Sequence, residues 1–81
     1  MPELILYSTW GCHLCEQAEA LLQEARLAGR YQVTDIIDDE ALLQRFRVHI
    51  PVLCRQTSGA EQLLFWPFDL ASLQQWLKDT E

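Results

Sequence analysis

Apolar and polar residues alternate along this chain in two rhythms, and the switches between them predict the elements. Glu3-Leu4-Ile5-Leu6-Tyr7 is a short apolar run between Pro2 and Ser8-Thr9, with the length and flanks of a buried strand. Trp10-Gly11 breaks it. From about residue 13 to 28 apolar residues recur at helical spacing, with Leu14, Ala18, Leu21, Leu22 and Ala25 on one stripe. Glu16, Glu19, Gln23 and Glu24 lie mostly off that stripe, and Gly29 is placed to end the helix. Residues 31–37 (Tyr-Gln-Val-Thr-Asp-Ile-Ile) are rich in strand formers and predict a second strand.

Asp38-Asp39-Glu40 offers an N-cap and an acidic first turn to a short helix with Leu42, Leu43 and Phe46 on one side. Arg45 and Arg47 suit its C-terminal end electrostatically. Pro51 pushes Ile50 out of helical geometry, and Val52-Leu53-Cys54-Arg55 follows as a third strand. Gln56-Thr57-Ser58-Gly59-Ala60 predicts a turn, and residues 61–66 a fourth strand in an antiparallel hairpin with the third. Pro67 stops it, and Asp69 can cap a last helix whose stripe is Leu70, Leu73, Trp76 and Leu77. The order is β-α-β-α-β-β-α. The crossover rule makes the first two strands parallel, so the expected fold is α/β, a four-stranded mixed sheet flanked by helices.

Eighty-one residues make one domain, residues 1–81, near the lower size limit for a self-sufficient core. With 49% hydrophobic residues and only three Gly and three Pro, the composition excludes a disordered tail. Six Lys and Arg against twelve Asp and Glu leave a net charge of −6, which weighs against nucleic acid or an anionic membrane surface as partner. No apolar run is long enough for a membrane span and no basic segment precedes Leu4, so a cytoplasmic, monomeric protein without a signal peptide is expected. Three cysteines, two of them close together in Cys12-His13-Leu14-Cys15, suit reduced thiols better than a disulfide framework.

Cys12 and Cys15 sit where the first strand hands over to the first helix. Unpaired N–H groups and the helix dipole at that point stabilise thiolate over thiol. Residues three apart share a helical face, so Cys15 can attack a mixed disulfide formed at Cys12. Cys12, nearer the helix start, is the candidate nucleophile, and Cys15 the resolving thiol. A lone C-x-x-C also fits half of a zinc or iron–sulfur site, with His13 or Cys54 as further ligands, or a pair of inert thiols in a binding module. Position favours the redox reading and no metal. Cys54 alternates with Val52 and reads as a small buried residue.

The stretch Tyr7-Ser8-Thr9-Trp10-Gly11-Cys12-His13-Leu14-Cys15 resembles the active site of glutaredoxins, and Ile50-Pro51-Val52 resembles their second landmark. With the Trp66-Pro67-Phe68-Asp69 turn into a leucine-rich last helix, the whole chain is similar to the small bacterial glutaredoxin-like proteins of the thioredoxin superfamily. The resemblance implies a thioredoxin-like fold, a cis bond before Pro51 and thiol–disulfide exchange on small-molecule or protein disulfides. It implies no tightly bound cofactor and makes glutathione a candidate co-substrate. Ile50 would offer backbone hydrogen bonds to the substrate, and Asp69 would meet a ligand amine or merely cap the last helix. Trp10, Gly11, His13, Ile50, Pro51 and Asp69 form the candidate substrate-binding set. Two departures stand out. No Lys or Arg occupies Ser8-Thr9-Trp10, and Trp66-Pro67-Phe68 replaces a Gly-Gly pair, so a protein disulfide competes with glutathione as substrate. Arg47 and Arg55 are the remaining candidates for carboxylate contacts.

Overall fold

The computed structural model describes residues 4–57 and 60–80. Pro2 and Glu3, at the predicted start of the first strand, and Ser58 and Gly59, in the predicted turn, lie outside them. The described residues form β1 (Leu4–Ser8), α1 (His13–Glu24), β2 (Tyr31–Asp35), α2 (Glu40–Phe46), β3 (Val52–Thr57), β4 (Ala60–Phe65) and α3 (Leu70–Asp79). A 3₁₀ turn, Ile36–Asp38, separates β2 from α2. The sheet order is β2-β1-β3-β4, with β1 parallel to β2 and β3 antiparallel to both β1 and β4.

Alternation along the central strands builds two cores. Leu4 and Leu6 of β1 and Leu53 of β3 pack with Ala18 and Leu22 of α1 and Leu73 of α3. Tyr7, Val52 and Cys54 point the other way, against Phe46, Leu42 and Leu43 of α2. Strands covered on both faces have no polar side to show, which is why β1 reads as an unbroken apolar run. Each fully buried Leu, Ile or Phe contributes about 1.5–3 kcal/mol, far above the tenths separating residues in helix propensity. Packing therefore decides where the elements sit.

That dominance explains the departures from the sequence pattern. Helix α1 ends at Glu24, not at residue 28. Arg26 takes the left-handed conformation (φ 63°), its N–H donates to Gln23 O at 3.0 Å, and Leu27 N–H donates to Leu22 O at 2.9 Å. This is a Schellman closure, and it folds Leu27 back into the core beside Leu22. Gly29 (φ 80°) serves the next turn instead of stopping the helix. Leu14 leaves the predicted stripe and is exposed, and its neighbour Cys15 is buried in its place. Strand β2 stops at Asp35 because Asp35 Oδ1 accepts from Ile37 N–H at 2.9 Å, which turns the chain and buries Ile36.

Candidate functional site

The register gathers the predicted site at one end of the sheet. Tyr7 pairs with Val52, and Val52 with Phe65. The C-terminal end of β1, the N-terminal end of β3 and the C-terminal end of β4 therefore meet. From them extend Thr9 to Cys12, Ile50-Pro51 and the Trp66-Pro67-Phe68-Asp69 turn. Both Ile50-Pro51 and Trp66-Pro67 are cis; the first was expected, and the second left no mark in the sequence pattern.

Between β1 and α1, Cys12 N–H donates to Thr9 O at 3.4 Å across a tight turn, and Gly11 at its third position has φ 80°. A type II turn needs positive φ there, and glycine adopts it without strain. A Cβ on Gly11 would meet nothing within 4 Å, so its role is conformational. Cys12 is the N-cap of α1. Its Sγ accepts from Cys15 N–H at 3.1 Å, as a serine oxygen would at this position. Cys12 and Cys15 are joined as a disulfide with Cα atoms 5.3 Å apart. Cys12 is half-buried and Cys15 buried.

The surrounding residues separate into groups. Trp10 is 92% exposed, directly before the thiols. His13 is exposed, and its Nδ1 lies 3.6 Å from Glu16 Oε2, one turn along α1. Ile50 N–H donates to Phe46 O at 3.0 Å, so its amide is engaged within the fold. Asp69 Oδ1 accepts from Ser72 N–H at 2.8 Å and Ser72 Oγ at 2.7 Å, bonds that hold its carboxyl below the usual range and cap α3. Arg55 is a correction to the candidate cations. It is buried and donates to Leu77 O and Thr80 Oγ1, both at 2.9 Å, on the far side of α3's C-terminus. Cys54 is fully buried. Among the described residues no group of three or more His, Cys, Asp or Glu could hold a metal ion, and no helix is long and apolar enough to cross a membrane. Sequence reading missed Asp35 and Val33, which the parallel pairing of Ser8 with Asp35 brings beside Trp10.

A four-stranded mixed sheet flanked by helices, with a C-x-x-C pair opening the first helix at the sheet end that also carries a cis-proline, is a thioredoxin-like fold and supports a role of redox type. The sequence model described as Glutaredoxin-like domain (DUF836) matches residues 3–78, and the chain belongs to that family. A search of curated proteins found no match. Among solved structures, the chain is similar to the X-ray structure of target protein XcR50 from X. campestris, at 43% identity and TM-score 0.79, covering 94% of this chain and 96% of that one. It is also similar to protein Ne2328 from Nitrosomonas europaea, at 25% identity and TM-score 0.74, covering 94% and 92%. The oxidised thioredoxin from Plasmodium falciparum shares the fold at 14% identity and TM-score 0.63, covering 98% of this chain and 82% of that one.

Proposed function

We propose that the protein is a dithiol oxidoreductase of glutaredoxin-like type that reduces protein or small-molecule disulfides. The observation that carries this reading is Cys12 Sγ at the head of α1, with Cys15 N–H directed at it and the Cys15 sulfur bonded to it. The same N–H that caps the helix would solvate a Cys12 thiolate once the disulfide is opened. In the reduced protein that thiolate attacks one sulfur of the substrate disulfide. The substrate S–S bond breaks, a mixed disulfide forms at Cys12, and the departing thiolate takes a proton. Cys15 then loses its proton and attacks Cys12 Sγ, releasing the second substrate thiol and restoring the Cys12–Cys15 disulfide. Two electrons pass from protein to substrate, and a thiol or dithiol reductant returns them.

Burial of Cys15 supports the division of labour, because an incoming disulfide reaches the half-buried Cys12 first. With the Ile50 amide engaged, the substrate backbone would be met there by the Ile50 carbonyl beside Pro51. Asp69 keeps a lone pair for a ligand amine while it caps α3, which leaves glutathione as a candidate reductant or co-substrate.

Alkylation of the reduced protein with iodoacetamide at about pH 6 tests the reading, since a helix-start thiolate titrates well below about 8.5. Cys12 should react at least about tenfold faster than free cysteine, and Cys15→Ser should accumulate the mixed disulfide. A Cys12 rate no faster than free cysteine would leave a thioredoxin-fold binding module with inert thiols. Coupling disulfide reduction to glutathione with its reductase, and separately to thioredoxin reductase, identifies the electron donor.

A further inference from the structure

At the carboxyl ends of the parallel strands β1 and β2, Ser8, Thr9, Trp10, Val33 and Asp35 line a cleft of about 190 Å³. Trp10 is 92% and Val33 46% exposed, so two large apolar side chains stand in solvent within a few residues of Cys12. The lining includes one carboxylate and no cation. Tyr31 Oη donates to Glu19 Oε1 at 3.0 Å, which places that face of α1 along β2. Glu16 lies one turn nearer the helix start on the same face, with its side chain 76% exposed, so a second carboxylate borders this side. Most of the chain's cations lie elsewhere. Arg26 and Arg30 follow the opposite end of α1, Arg45 pairs with Glu61, Arg55 is anchored to α3, and Lys78 lies in α3's last turn.

We propose that this cleft receives an arginine side chain carried by the substrate protein close to the disulfide under attack, so that the enzyme selects cationic protein disulfides. The proposal deepens the oxidoreductase reading and rests on it for the reaction. A guanidinium laid on the exposed Trp10 indole gains a cation–π contact, and its planar fork reaches the Asp35 carboxylate. Its aliphatic stem covers Val33. Trp10 precedes Cys12 by two residues, a span of at most about 7 Å even for extended chain and shorter across the turn. The arginine therefore belongs two or three residues from the substrate cysteine. Glutathione, anionic overall, meets the same carboxylates as repulsion.

Two synthetic octapeptides with serine in place of the reactive cysteine, differing only in Arg or Glu two residues away, test the binding on the oxidised protein. At about 50 mM salt the Arg peptide should bind about tenfold tighter, and the gap should shrink to about threefold or less at about 0.5 M. Asp35→Asn keeps the oxygen that accepts from Ile37 and should shrink the gap at low salt in the same way. Equal affinities, or a gap that Asp35→Asn leaves intact, would overturn the proposal. So would a concentration-dependent dimer that Trp10→Ala dissolves, which would assign the cleft to a second copy. The cysteine forms of the peptides, as disulfides, and hydroxyethyl disulfide read the reaction with the reduced protein. Arg-selective binding without reduction of any of the three would sink the oxidoreductase reading and leave the docking site standing.

Discussion

At Cys54 burial and chemistry act together. The side chain is fully buried between β1, β4 and α2, and that burial pushes its thiol up, with Glu61 adding to the shift and the Tyr7 hydroxyl opposing it. The folded chain therefore keeps the thiol protonated at pH values where the unfolded chain ionises it. The contribution to stability is whole below the unfolded value, about 8.5, and is lost as pH rises past it toward the folded value. Unfolding free energies from urea titration of wild type and Cys54→Ala should differ by about 1 kcal/mol at pH 7, the cost of a small cavity, and converge above pH about 9. A constant difference across that range would refute the assignment. Cys54 was legible from its alternation with Val52, and the capping role of Asp69 from its place before a leucine stripe. The burial of Arg55 was not, because a long side chain on a strand has no pattern of its own until the helix it reaches is in place.

Helix termini were the least legible elements, and α1 shows why. Gly29 looked like the stop, yet the chain turns three residues earlier at a non-glycine residue because Leu27 is worth more in the core than further residues of helix are. Nothing about an arginine announces a left-handed conformation. Its cost there relative to glycine, about 1 kcal/mol, predicts that Arg26→Gly stabilises the protein by roughly that amount. Thermal unfolding should then rise by about 4–8 °C, the usual response of a domain this size. Arg26→Ala should gain nothing, because alanine meets the same steric penalty. An equal rise for both variants would mean that the arginine's charge, rather than its backbone, was the cause. The C-x-x-C motif was readable because the strand, the Gly11 turn and the helix start each carry local signals. The cleft beside it was not, since Val33 and Trp10 meet only through the pairing of β2 with β1.

On the scale of the whole molecule, the sheet end with the disulfide carries exposed apolar and acidic groups, and the opposite end carries the fastening. Arg55 on β3 donates to Leu77 O and Thr80 Oγ1, while Thr80 Oγ1 donates to Trp76 O at 2.9 Å. A buried guanidinium thus satisfies the Leu77 carbonyl in the last turn of α3, holds the Thr80 hydroxyl that serves Trp76 O, and closes contacts 22 and 25 residues apart in sequence. The exposed ion pair of Arg45 with Glu61 at 2.6 Å joins side chains 47% and 35% exposed, where solvent holds the gain below about 1 kcal/mol. Magnitude decides between them. Hydrogen bonds from a charged donor contribute about 1.5–3 kcal/mol each, and an apolar replacement recovers part of this by removing a buried charge. Arg55→Met should therefore cost about 2 kcal/mol and lower Tm by about 10 °C, with amide exchange in α3 accelerating more than in β1. Glu61→Gln should shift Tm by less than half as much and leave α3 protection unchanged. If the two variants proved equally mild, α3 would be held by Leu73 and its apolar neighbours alone, and Arg55 would have no part in fastening it.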